Sequence, residues 1–142
     1  MANTIYDQLV KDGKFKTFIR LIDICDGLKD NLSGKDQLTV FAPTDDAFSK
    51  LQPGTVEKYS QDTDLLLDIF RFHMIVGTHT SEELLVLAKS KQTMKALDNN
   101  PMVLEEKDGL WVGNEKRMAK VSTADIKTSN GVIHVIDDLL SL

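Results

Sequence analysis

The order of apolar and polar residues predicts helices in the first half of the chain. Apolar side chains recur three or four positions apart over residues 14–26, which is the spacing of one buried helix face. Shorter helices are predicted to begin at Thr4 and Ser81, and a longer, strongly apolar helix is predicted over residues 63–72. The segment 30–36 is mostly polar and is predicted to form a loop.

Short apolar runs predict strands, most of them in the second half. Residues 37–42 are predicted to form a buried strand, and residues 74–76 a shorter one. An Asp-Gly and a Gly-Asn pair, which favour hairpin turns, flank a strand at residues 110–112. Residues 118–126 supply one or two further strands, and residues 132–136 supply the last. Helices first and strands later predict the α+β fold class.

The segment Leu38–Phe48 joins a buried strand to the start of a helix. Pro43 has no N–H to donate to a strand partner and favours extended geometry in the residue before it. Thr44 then stands where a helix N-cap is expected. Asp45 follows in the first turn, where the helix dipole favours negative charge. Phe48 gives this short helix a buried side.

The segment 130–140 joins a turn to the last strand. The turn is predicted at Asn130-Gly131. On a strand, His134 shares a face with Val132 and Ile136, so a buried, hydrogen-bonded histidine is favoured over a metal ligand. Asp137 follows the strand.

Composition and charge narrow the class of function. The chain has 142 residues and a net charge of −5, which argues against a nucleic-acid surface or a polybasic membrane contact. No apolar run approaches the roughly 20 residues of a membrane span, and the first residues lack the basic and apolar regions of a secretory signal. Cys25, the only cysteine, lies on the apolar face of its helix and is predicted to be buried and unreactive.

The histidines and the paired carboxylates have no catalytic or metal-binding spacing. His73 and His134 are predicted to be buried and hydrogen-bonded, and His79 is predicted to lie exposed in a loop. The adjacent aspartates at 45–46 and at 137–138 are not expected to converge on one substrate atom, because successive side chains on a strand point to opposite faces.

Other candidate chemistry is equally sparse. Residues 98–100 and 105–106 carry carboxylates and amides, but they match no calcium-loop spacing. There is no glycine-rich phosphate loop and no Gly-x-Ser-x-Gly turn. Trp111, on the predicted hairpin, is a candidate contact residue for a partner. The sequence therefore predicts no catalytic residue, no metal site and no cofactor.

Two segments resemble the signatures of the fasciclin (FAS1) domain family. Residues 39–48, Thr-Val-Phe-Ala-Pro-Thr-Asp-Asp-Ala-Phe, are similar to the first signature, and residues 130–137, Asn-Gly-Val-Ile-His-Val-Ile-Asp, are similar to the second. The family's Tyr-His pair is replaced here by Phe72-His73, and its proline after the last apolar pair is replaced by Ser141. The residues that this resemblance assigns to structural motifs are Thr39, Phe41, Pro43, Thr44, Asp45, Phe48, His73, Asn130, Gly131, His134 and Asp137.

The resemblance implies a fold and a function. It implies that residues 1–142 form one domain, a compact wedge of two β-sheets with helices packed around it and a mainly helical N-terminal half. It implies a non-enzymatic adhesion module that contacts a protein or glycan partner in an extracellular, periplasmic or cell-surface location, although the missing signal leaves the cytoplasm open. The short length and the net charge of −5 predict a monomer. The candidate contact residues are Phe72, His73, His79 and Trp111.

Two other functions stay open at this point. The first is a small-molecule or lipid-binding domain with a cleft between its helices and its sheet. The second is a metal-independent hydrolase that uses His73 or His134 with an aspartate.

Overall fold

The computed structural model describes residues 3–25, 27–34, 37–51, 53–97, 100–114 and 118–140. These residues form seven helices and seven strands. The helices are α1 Ile5–Asp12, α2 Lys16–Ile24, α3 Leu28–Ser33, α4 Asp45–Ser49, α5 Thr55–Gln61, α6 Thr63–Phe72 and α7 Ser81–Lys89. The strands are β1 Leu38–Pro43, β2 Met74–Val76, β3 Thr93–Lys95, β4 Pro101–Glu106, β5 Leu110–Gly113, β6 Met118–Thr128 and β7 Gly131–Ile136.

The helix α3 corrects the predicted loop at residues 30–36. Leu28 and Leu32 lie four positions apart, so one helical turn places both on the same side, and both are fully buried. Gly27 precedes the helix with a left-handed φ of 84°, which glycine adopts without the strain that a side chain would cause. Burial of two leucines therefore outweighs the polar composition of the segment.

The seven strands lie in one continuous order, β2-β1-β7-β6-β5-β4-β3. Only the pairing of β1 with β7 is parallel among the strand pairs that these residues form. The long strand β6 pairs with β5 near its start and with β7 along the rest of its length. It thus connects all seven strands in one mixed sheet where two sheets were expected, and the α+β class is confirmed.

The parallel pairing of β1 with β7 places the two signature segments side by side. The register runs from Leu38 opposite Gly131 to Pro43 opposite Ile136, and every residue of both strands is buried. A Cβ atom at Gly131 would lie 1.8 Å from the carbonyl oxygen of Leu38. Glycine is therefore required where β7 begins, because any side chain would overlap the backbone of β1.

Alternate residues of these two strands face two hydrophobic clusters. Leu38, Val40 and Ala42 belong to the cluster that also contains the buried side chains of α1, α2, α3 and α6. Phe41 and Ile136 belong to the second cluster, which contains the buried side chains of α7, β4 and β5. Since side chains alternate along a strand, the central sheet is covered on both faces.

Candidate functional site

Phe72 and His73 lie inside the core. Phe72 is 1% exposed and His73 is fully buried, so the expectation that these side chains contact a partner is wrong. The Nδ1 atom of His73 lies 2.8 Å from the Ile69 carbonyl oxygen, and the Leu140 N–H donates to Nε2 at 3.0 Å. This pattern needs one protonated and one unprotonated ring nitrogen, so His73 is a neutral structural histidine that joins α6 to the segment after β7.

His134 has the same pattern of bonds and is also fully buried. The Asp125 N–H donates to its Nδ1 at 3.1 Å, and its Nε2 lies 2.8 Å from the His79 carbonyl oxygen. Burial lowers the pKa of His134 below its ordinary value. The hydrogen bond to His79 and the charge of Asp125 act in the opposite direction. The neutral ring therefore bonds β6 on one side and the loop before α7 on the other.

Thr39, buried on β1, makes hydrogen bonds to the loop between β2 and α7. Its hydroxyl donates to the Gly77 carbonyl oxygen at 2.8 Å and accepts the His79 N–H at 2.8 Å. Thr39 is fully buried, so both bonds lie close to the core of the protein. Gly77 has a φ of +91°, and a Cβ there would lie 3.1 Å from Nε2 of His79. The loop is therefore fixed by its backbone as well as by its side chains.

His79 is less exposed than the sequence predicted, with 22% of its side chain accessible. Its Nε2 lies 2.9 Å from the Val76 carbonyl oxygen, and its Nδ1 contacts the Glu83 carboxylate. Both partners are acceptors, so the ring makes both hydrogen bonds only when both nitrogens carry a proton. Thr80 is the N-cap of α7 and accepts the Glu83 N–H at 3.4 Å.

Asp125 holds the start of α7, and no feature of the sequence pointed to it. Its carboxylate accepts the Ser81 N–H at 2.8 Å and the Ser81 hydroxyl at 2.5 Å. Burial acts to raise the pKa of Asp125, but the two bonds from Ser81 and the nearby His134 and Lys127 outweigh it, and the pKa is lowered. The register of β6 shifts at this point, and Asp125 has a positive φ of 62°.

Exposed side chains lie on this loop and on the strand and helix that flank it in the sequence. Val76 is 65% exposed at the end of β2, and Val86 is 61% exposed on α7. Thr78 and Glu83 are exposed between them, and the His79 ring joins the Val76 carbonyl to Glu83. These four residues, Val76, Thr78, Glu83 and Val86, are called the rim below. The rim therefore presents two exposed apolar side chains and one carboxylate next to a loop that is fixed by hydrogen bonds.

Trp111 lies partly exposed on β5. Its indole N–H donates to the Lys107 carbonyl oxygen at 3.0 Å, which fixes the ring against the β4–β5 turn. Its role as a partner contact stays a prediction. Of the residues considered for calcium, Asp98 and Asn99 lie outside the described residues. Within the described ranges, no group of three or more His, Cys, Asp or Glu side chains is placed to hold a metal ion.

A cleft of about 680 Å³ lies at the carboxyl ends of β1 and β7, and its lining includes aspartates from both signature segments. Their carboxylates serve the fold: Asp45 accepts the Thr17 N–H at 2.8 Å, and Asp137 accepts the Lys120 N–H at 3.1 Å. Thr44 accepts the Ala47 N–H at 3.2 Å and is the N-cap of α4, which confirms the cap prediction.

Known proteins and a known domain family are similar to this chain in sequence. A family model described as the Fasciclin domain matches residues 13–142. The Synechocystis protein sll1735 is 34% identical over 136 residues, which cover 96% of this chain and 96% of that protein. Human periostin is 30% identical over 137 residues, which cover 96% of this chain and 16% of periostin. The cell surface glycolipoprotein MPB83 of Mycobacterium bovis is 29% identical over 140 residues, which cover 99% of this chain and 55% of that protein.

The fold is shared with a solved protein. A FAS1 domain pair from the insect cell adhesion molecule Fasciclin I has a TM-score of 0.85 with this chain at 18% sequence identity, and the match covers 96% of this chain and 50% of that one. The helices in the described part of the chain are all too short or too polar to cross a membrane. The family match begins at residue 13, and the assignment of residues 1–142 to one domain stays a prediction.

Proposed function

This chain belongs to the fasciclin domain family, and we propose that it is a non-enzymatic interaction module that presents the rim to a protein or glycan partner outside the cytoplasm. The name of one similar protein, a cell surface glycolipoprotein, supports a location outside the cytoplasm. The partner of this chain is chosen by its own surface rather than by its fold.

The observation that carries the proposal is the contrast between the exposed rim and the bonded loop beneath it. Val76 and Val86 are more than half exposed, although valine is a residue type that is usually buried. The loop between them is held by Thr39, His134 and Asp125 through backbone and side-chain bonds. A surface that is already ordered loses little conformational entropy on binding, which favours recognition of a partner.

The buried histidines support a role without catalysis. Each ring nitrogen of His73 and His134 is already bonded to a backbone group, so neither ring has a nitrogen left to take a proton from a substrate. The carboxylate of Asp125 bonds Ser81, and only its backbone N–H reaches His134. This arrangement lacks the base and nucleophile pair that the hydrolase hypothesis needs.

Binding to arrays of purified glycans and of extracellular-matrix proteins tests the proposal. The labelled chain is compared with a variant that carries both Val76→Glu and Val86→Glu, which puts charge into the apolar part of the rim. We expect the double variant to bind at least about tenfold more weakly, the effect of losing contacts worth more than 1 kcal/mol.

A matched control separates the rim from the general effect of added charge. Val10→Glu changes a valine that is 53% exposed on α1 and should bind like the wild type. Urea unfolding of all three proteins verifies that they stay folded. Equal binding by the double variant and the wild type would contradict the proposal, and so would an equal loss in Val10→Glu.

A second candidate function is binding of a small polar molecule in the cleft at the carboxyl ends of β1 and β7. Its volume suits a small ligand, and its lining includes Lys14 and Asp46, which favour a polar ligand over a lipid. Thermal unfolding with sets of amino acids, sugars and fatty acids tests this candidate. A polar ligand should raise the unfolding temperature of the wild type and leave a Lys14→Ala, Asp46→Ala variant unchanged. No stabilisation by any of them would reject the idea.

A further inference from the structure

The two histidines beside the rim need different numbers of protons. His134 accepts the Asp125 N–H at one nitrogen and faces the His79 carbonyl oxygen with the other, so it makes both bonds as a neutral ring. His79 faces the Val76 carbonyl oxygen and the Glu83 carboxylate, so it makes both bonds only as the charged ring. The loop is completely bonded only when His79 is charged and His134 is neutral.

Loss of one proton from His79 breaks a specific bond. A neutral ring donates from one nitrogen, and the lone pair of the other nitrogen then faces an oxygen lone pair. Either the Val76 carbonyl or the Glu83 carboxylate loses its partner, and both belong to rim residues. Histidine is the side-chain type that most readily gains or loses a proton near neutral pH, so a comparison of mildly acidic with mildly basic solution tests this dependence.

The other charged groups around the loop are few and come from four elements. Glu83 on α7 faces the ring of His79 directly, and Asp125 on β6 bonds Ser81 at the start of the same helix. The charge of Lys127 on β6 helps to lower the pKa of Asp125. Arg71 on α6 lines a groove together with Val76 and Gly77. On β7 the facing group is His134 itself, and burial lowers the pKa of its ring, which favours the neutral form.

We propose that protonation of His79 orders the rim, so that the partner surface is more rigid at pH 6 than at pH 8. The ordering of the rim by His79 does not depend on the proposed function. Its role in regulating a partner rests on that function, because the rim is the proposed partner surface. The ordering depends on two hydrogen bonds of His79, one to the Val76 carbonyl oxygen of β2 and one to the Glu83 carboxylate of α7. Its buried counterpart, His134, bonds the Asp125 N–H and the His79 carbonyl oxygen as a neutral ring and keeps the other side of the loop fixed.

Amide hydrogen exchange, measured by NMR at pH 6 and pH 8 and expressed as protection factors, tests the proposal. The reporter is the His79 backbone N–H, which is bonded to the Thr39 hydroxyl. We expect its protection factor to fall about two- to fivefold from pH 6 to pH 8, the size of effect that a partly exposed ion pair has. The amide of Ile133, in the buried strand β7, serves as the internal reference and should not change.

Two variants separate the proton on His79 from other effects of pH. In His79→Gln and in Glu83→Gln, the protection factor should be the same at both pH values. Equal protection at pH 6 and pH 8 in the wild type would overturn the proposal, and so would the same fall in His79→Gln. These readouts involve no partner, so a failure of the rim to bind anything on the arrays would leave them valid.

Discussion

At the scale of single residues, His73 and His134 resemble each other closely. Each is fully buried, and each donates from one ring nitrogen and accepts at the other. Their partners are backbone groups that no other side chain is positioned to bond in the described contacts. Buried polar groups that lose their partner carry a large desolvation penalty, so these rings act as bonds between elements rather than as reactive groups.

We expect the His134→Ala variant to be about 1–3 kcal/mol less stable than the wild type, because the Asp125 N–H and the His79 carbonyl oxygen both lose a buried partner. Urea denaturation monitored by circular dichroism measures the change. The control is His79→Ala, which removes a partly exposed ring and should cost less than about 1 kcal/mol. An unchanged unfolding midpoint for His134→Ala would contradict the structural role.

Gly131→Ala tests the contact between the two signature segments. Its Cβ would overlap the Leu38 carbonyl oxygen, so β1 and β7 would have to move apart, and we expect a loss of about 3 kcal/mol or more. Gly13→Ala is the matched control, because Gly13 also has a positive φ but has no neighbouring atom within 4 Å of the added carbon. It should lose only roughly 1–2 kcal/mol, the cost of left-handed geometry. Equal losses in urea denaturation would contradict the steric explanation.

At the scale of elements, the sequence predicts what depends on local pattern. Helices α2 and α6 and strands β2 and β7 follow from the spacing of apolar residues, and Thr44 is recognisable as a cap. The missed helix α3 depends on the burial of Leu28 and Leu32 against other helices, which the local composition does not reveal. The parallel pairing of β1 with β7 joins segments from opposite ends of the chain and has no local signal.

The candidate site is the least predictable part for the same reason. Val76 and Val86 belong to apolar runs, and only the tertiary structure leaves them exposed. Asp125 lies within a predicted strand, and its role arises from a register shift in β6 and from the position of Ser81. Conversely, Phe72 and His73 are candidate contact residues by resemblance to the family, but the end of α6 places both side chains inside the core, where the sequence also predicts His73 to lie.

Acid is expected to weaken the two hydrogen bonds by which His134 of β7 joins β6 to the loop before α7. Because burial lowers the pKa of His134 below 6.5, the unfolded chain takes up a proton at pH values where the folded chain does not. The stability contributed by the neutral ring is therefore complete above about pH 6.5 and is lost as the pH falls through the lower folded pKa. Asp125, whose pKa is lowered from 3.8, loses its contribution only in stronger acid.

Urea denaturation at intervals from about pH 7.5 to 4.5 measures this effect. The difference in stability between the wild type and His134→Ala isolates the contribution of the ring from the other titrating groups. We expect this difference to shrink as the pH falls below about 6.5. A difference that stays constant, or grows, over the same range would show that His134 does not keep a lowered pKa in the folded chain.

At the scale of the whole molecule, the residues divide into a scaffold and a surface. The two signature segments form the central parallel pair, and their aspartates and Thr44 bond backbone groups of neighbouring elements. The family relationship accounts for this scaffold. The rim lies outside these segments, which is why a chain can keep the family's fold and still have a partner of its own.

The measurement that tests this account most directly is the footprint of a bound partner. Hydrogen exchange detected by mass spectrometry compares the chain alone with the chain bound to a partner found on the arrays. The account predicts slower exchange in residues 76–86, with no change in residues 12–15 and 44–46, which line the cleft. Protection confined to the cleft, with residues 76–86 unchanged, would contradict it.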